Sequence, residues 1–141
     1  MSHAIDHRAP SLTTDLQAQL ALQFPLRTVE LAGARQAFRE CGSGPAIVLL
    51  HGIGSGSASW LEVAQALGRS ARVIAWDAPG YGDSSPLRAL APDASDYAER
   101  LLQMLDARAS SVACWWGIHW GPLPPSLSPA ACSNSASAAW C

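Results

Sequence analysis

The stretch Val48-Leu49-Leu50-His51-Gly52-Ile53-Gly54-Ser55-Gly56-Ser57-Ala58-Ser59-Trp60 decides the fold. It begins inside the run Ala-Ile-Val-Leu-Leu of residues 46–50, which has no polar face, as expected of a strand covered on both sides in a parallel sheet. The run breaks at once into a glycine-rich turn. Several glycines there let the backbone reverse sharply and aim N–H groups at an incoming oxygen, the geometry an oxyanion requires. The plainer alternative is a strand-to-helix turn with no chemical task. Phosphate binding is disfavoured, because Gly52, Gly54 and Gly56 are spaced G-x-G-x-G rather than G-x-G-x-x-G and no Lys-Ser/Thr pair follows.

Working outward, Ser59-Trp60-Leu61-Glu62 has the form of a capping box and predicts a helix start. Trp60, Val63, Ala64 and Leu67 then repeat at helical spacing, and Gly68 is expected to end the helix in a left-handed conformation. Residues 72–76, Arg-Val-Ile-Ala-Trp, form a second buried strand that empties into Asp77-Ala78-Pro79-Gly80-Tyr81-Gly82-Asp83-Ser84. Pro79 followed by Gly80 and Gly82 marks a tight reversal, and Asp77 reads as its anchor, accepting backbone N–H groups of that turn. Tyr97, Leu101, Met104 and Leu105 mark one face of a helix over residues 95–108. Upstream, residues 27–31 and 36–40 alternate across the short break 32–34 and predict an antiparallel hairpin of edge strands. Residues 15–23 predict a short helix that Pro25 ends. Strand, helix, strand, helix implies an α/β fold with a mainly parallel core.

At 141 residues the chain suits one domain. A net charge of −2 offers no footing for nucleic acid or an anionic membrane surface. Neither a signal peptide nor a membrane span is read, so a cytoplasmic protein is expected. The averages hide a change along the chain. All Asp, Glu and Arg residues lie within 1–108, whereas 109–141 carry no charge but hold four of the 6 Trp and three of the 4 Cys. A folded surface needs charge, and the Pro, Ser and Ala content argues against burial. The expected organisation is an N-terminal extension over 1–26, a partial α/β domain over 27–108 and an aberrant, disordered tail over 109–141. Cys114, His119, Cys132 and Cys141 match no compact metal pattern, so no metal is expected. Trp115, Trp116 and Trp120 lack the cations that stacking on bases requires.

Taken together, VLLHGIGSGSASW and RVIAWDAPGYGDS closely resemble the N-terminal half of the α/β-hydrolase superfamily, with its strand-HG loop and its D-x-P-G-x-G-x-S turn. The resemblance spans residues 27–108. It implies cofactor-free hydrolysis of a small ester-like substrate and an oxyanion hole built on His51, Gly52, Ile53 and Gly54, with the N–H of Ile53 as donor. It also implies that His51 is structural and not the catalytic base. Ser55 and Ser57 would touch substrate or solvate the loop, and Asp77, Pro79, Gly80, Gly82 and Ser84 would form the structural turn. Oligomeric state is not legible.

The superfamily orders its triad as nucleophile, acid, histidine, with the nucleophile on a G-x-S-x-G turn after the next buried strand. No such turn occurs in the sequence, so no catalytic residue is assigned. Codon arithmetic suggests why. If one base is missing at Arg108, each downstream codon is read from the third base of one triplet and the first two of the next. Cys114-Trp115-Trp116-Gly117 then must encode Leu-Val-Gly, and His119-Trp120-Gly121 must encode Leu-Gly, with His and Ser permitted between them. The expected function is therefore that of an incomplete hydrolase fragment lacking nucleophile, acid and base, ended by a frameshift or sequence error. The recoverable Ser favours esters, lactones or C–C bonds over epoxides. Two alternatives stand beside it: a complete small hydrolase with an unrecognised site, and a non-catalytic binding protein reusing half the fold.

Overall fold

A computed structural model describes residues 12–108 and 112–117. The elements run α1 (Leu12–Gln23), β1 (Leu26–Leu31), β2 (Ala34–Cys41), β3 (Ala46–Leu50), a 3-10 turn (Ser57–Trp60), α2 (Leu61–Leu67), β4 (Arg72–Trp76), α3 (Ala94–Ala107) and β5 (Val112–Gly117). The five strands form one sheet in the order β1-β2-β4-β3-β5. β4, β3 and β5 are parallel, while β2 runs antiparallel to both β1 and β4.

Layering follows from the apolar pattern. On one face Phe38, Val48, Leu50, Ile74 and Trp76 meet Ala98, Leu101, Met104 and Leu105 of α3. On the other, Leu49, Val73 and Ala75 meet Trp60, Leu61 and Ala64 of α2 together with Leu20 and Phe24. With both faces of β3 and β4 covered, their unbroken apolar runs are accounted for. Leu20 of α1 and Phe24, just beyond the helix, fall within the stretch expected as an N-terminal extension, and both are buried in this second cluster. Residues 1–11 lie outside the described residues.

Local chemistry corrects several other expectations. β1 and β2 close through Ala32-Gly33, both at positive φ (47° and 78°), the requirement of a two-residue hairpin turn with the twist of its strands. Of these two strands β1 alone is an edge, because β2 pairs again with β4 from Phe38 to Cys41. The capping box at Ser59 does not form. The chain enters α2 through the 3-10 turn, and the Ser59 hydroxyl donates to the Gly56 carbonyl at 2.7 Å. Gly68 is right-handed (φ −62°), and what it supplies is closeness: a Cβ there would lie 2.8 Å from the Ala64 carbonyl and 3.0 Å from Cys41 Sγ. α3 is capped as a box by Asp93 and Asp96, one turn earlier than the apolar stripe alone marks.

Residues 112–117 lie within the stretch expected to be an aberrant tail. They extend as β5, with Leu50 opposite Gly117 at the carboxyl end. Backbone pairing needs no charge, Val and Trp favour extended structure, and the edge of β3 offers N–H and C=O groups that require partners. Residues 109–111 and 118–141 lie outside the described residues.

Candidate functional site

The two loops predicted from sequence leave the carboxyl ends of adjacent parallel strands, β3 and β4, where open α/β sheets hold their ligands. Two buried side chains bolt them together. His51, 1% exposed, accepts the Ala78 N–H on Nε2 at 2.9 Å, with Nδ1 2.9 Å from the Gly52 carbonyl. This pairing assigns the proton to Nδ1, leaving a neutral ring whose acceptor is committed to the second loop. Tyr81 packs its ring edgewise on the imidazole, centroids 4.9 Å apart.

Asp77 makes the return connection. Its carboxylate accepts the Ser57 N–H on Oδ1 at 2.7 Å and the Ser57 hydroxyl on Oδ2 at 3.0 Å. The side chain therefore anchors the end of the first loop and not, as expected, the N–H groups of its own turn. Ser57 is buried, with its N–H and hydroxyl both engaged by that carboxylate. Gly56 and Gly82 flank the carboxylate: a Cβ on either would stand 3.3 or 3.1 Å from an Asp77 oxygen. A cleft of about 230 Å³ lies beside it, lined by Gly56, Ser57, Asp77 and Gly82 among others.

The rest of the second loop is a mould. Gly80 and Gly82 take positive φ (86° and 50°), Pro79 is buried, and Tyr81 N–H donates to Ala78. Ser84 is saturated: its hydroxyl donates to the Asp77 carbonyl at 2.7 Å and accepts the Ala37 N–H at 2.9 Å. Gln36, which the sequence reading passed over, completes this knot from β2. Its amide nitrogen lies 2.6 Å from the Asp77 carbonyl, 2.8 Å from Ser84 Oγ and 3.0 Å from the Ala37 carbonyl.

Against this mould the first loop projects outward. Ser55 N–H returns to the Gly52 carbonyl across a tight turn with Gly54 at φ 77°, and Ile53 at its tip is 87% exposed. Ser55 is exposed and its hydroxyl donates to Ser59. Of the sequence-predicted residues, His51, Asp77 and Ser84 thus converge in a buried frame, while Ile53, Gly54 and Ser55 are presented to solvent. Among the described residues no three His, Cys, Asp or Glu side chains gather as a metal site, and no helix is long and apolar enough to cross a membrane. The side chain of Cys114, and all of His119, Cys132 and Cys141, lie outside what the structure describes.

Comparison with known proteins points the same way. Residues 45–112 match the family model described as alpha/beta hydrolase fold. A Mycobacterium tuberculosis protein of uncharacterized function is 52% identical over 68 residues, covering 48% of this chain and 19% of that one. A pimeloyl-[acyl-carrier protein] methyl ester esterase of Vibrio vulnificus is 38% identical over 82 residues, covering 58% and 30%. The crystal structure of an epoxide hydrolase from Vigna radiata superposes with a TM-score of 0.64 at 27% identity, covering 70% of this chain and 33% of that one. The chain thus spans a third or less of the length of these relatives.

Proposed function

Because residues 45–112 belong to the alpha/beta hydrolase fold family, we propose that the loop after β3 is half of an oxyanion hole for acyl transfer, with the N–H of Ile53 as donor. The observation that carries this is the buried double bridge, His51 to Ala78 and Asp77 to Ser57, which holds a projecting glycine turn at the carboxyl end of the sheet. Preorganised donors of this kind act without reorganisation cost as charge develops, and one donor is worth about 3 kcal/mol of barrier. His51 is a structural bolt in this scheme, since its Nε2 is occupied by a backbone donor. The whole enzyme would hydrolyse a small ester, lactone or C–C bonded substrate through an acyl-enzyme, without a cofactor.

The nucleophile is assigned to the shifted frame. β5 ends at Gly117 beside Leu50, the residue before His51, and the recovered serine codon straddles Ile118 and His119 immediately after it. An elbow there adjoins the glycine loop. The third base of an Ile codon followed by the CA of a His codon can give only TCA, CCA or ACA, hence Ser, Pro or Thr. An Asp nucleophile is impossible in that frame, which favours ester chemistry over the epoxide chemistry of the Vigna radiata relative. The 141-residue chain lacks the elbow and is read as a catalytically incomplete fragment.

The test compares this chain with one in which a base is restored at the Arg108 codon and translation runs to that frame's own stop. The restored protein is expected to cleave a simple aryl ester and to be labelled by a serine-directed phosphonate at the recovered serine, the 141-residue chain to do neither. Labelling and turnover by the 141-residue chain would overturn the assignment.

A further inference from the structure

Gln36 is fully buried in β2, on the face it shares with Ala34 and Phe38, where an apolar side chain would pack without desolvation cost. Among the described residues its Oε1 has no hydrogen-bond partner, while its Nε2 is surrounded by three oxygens. A half-satisfied buried amide is a poor stabiliser. Nor do its partners need it. The Asp77 carbonyl keeps the Ser84 hydroxyl, the Ala37 carbonyl keeps the Asp77 N–H at 2.9 Å, and Ser84 Oγ keeps the Ala37 N–H. Removing the amide therefore orphans no atom. What it would remove is the 2.6 Å contact that draws the Asp77 carbonyl toward β2 and fixes the residue whose carboxylate holds Ser57.

We propose that Gln36 is a positioning residue for the glycine loop, acting through Asp77: its amide sets the backbone of Asp77 so that the carboxylate meets both donors of Ser57. Its relevance to catalysis rests on the oxyanion-hole reading of that loop, but the geometry and its test do not. The linkage runs from β2 through β4 into the first loop, so a change at residue 36 is felt about twenty residues away in sequence, at residues 52–57.

Backbone amide spectra and hydrogen exchange of the 141-residue chain test it. In Gln36→Leu the thermal midpoint should stay within a few degrees of the parent, while the Ser57 amide resonance moves upfield and its exchange quickens about fivefold to tenfold, the equivalent of one weakened hydrogen bond. Gln36→Met, closer in shape, should behave alike, and Ser84→Ala should lower the midpoint because it leaves the buried Ala37 N–H without its hydroxyl acceptor. An unchanged Ser57 amide in a folded Gln36→Leu chain would overturn the proposal. Loss of folding in both Gln36→Leu and Gln36→Met would overturn it too, by making the amide a plain stabiliser. Failure of the oxyanion-hole reading would appear separately, as a restored-frame protein without esterase activity but with the Ser57 response intact.

Discussion

The two loops at the carboxyl end of the sheet are built on opposite plans. In the turn after β4, Asp77, Pro79 and Ser84 are buried, and the Asp77 carboxylate and the Ser84 hydroxyl are both claimed by partners. In the loop after β3, residues 53–55 are exposed and the backbone is held at its ends, by His51 and Ser57. The difference separates mould from cast. Buried anchoring side chains are concentrated in the turn after β4, and the loop after β3 is tied to them through two buried bridges. A donor group can thereby be both accessible and preorganised.

Substitutions should grade along that division. Asp77→Ala strikes the mould hardest, because it strands the buried N–H and hydroxyl of Ser57; a loss of about 3 kcal/mol is expected by urea unfolding. His51→Leu leaves the Ala78 N–H unpaired and should cost about 2 kcal/mol in the same measurement. Gly54→Ala belongs to the cast. A Cβ there meets nothing within 4 Å, so the expected loss of about 1 kcal/mol is the strain of φ 77° alone. Ile53→Ser should stay within about 0.5 kcal/mol of the parent, its side chain being 87% exposed. A Gly54 or Ile53 variant as damaging as Asp77→Ala would erase the distinction between the loops.

Cys41, outside both loops, supplies the smallest effect. Burial, and then the neighbouring Glu40, push its thiol above the ordinary value. Folding therefore favours the protonated thiol, and this contribution is complete below the ordinary thiol range and lost as pH rises through the folded value. A parent chain that loses stability at alkaline pH slightly faster than Cys41→Ala, in parallel unfolding curves, is the expected result.

Sequence made the loops legible because glycine, proline and an apolar strand leave local marks: the 46–50 and 72–76 runs and both turns lie where the pattern put them. What escaped depends on partners distant in the chain. Gln36 belongs to a stretch expected to be an edge strand, yet β2 is flanked by β1 and β4 and both Gln36 and Ala37 are buried. Asp77 was recognised as an anchor, but not that its carboxylate reaches Ser57, 20 residues earlier. Ser59 and Glu62 carried the spacing of a capping box, and the 3-10 entry to α2 turned the serine elsewhere. β5 left no alternation to read, because its pairing is a property of the β3 edge.

The codons of Gly117 and Ile118 test most directly the proposal that a hydrolase elbow follows β5 in a shifted frame. The proposed function requires GGC and then ATT, which read with the CA of His119 as CAT-TCA, His-Ser, in a frame that stays open past the Cys141 codon and supplies an acid and a histidine. An ATC or ATA codon at Ile118, giving Pro or Thr in place of the serine, or an early stop in that frame, would contradict it.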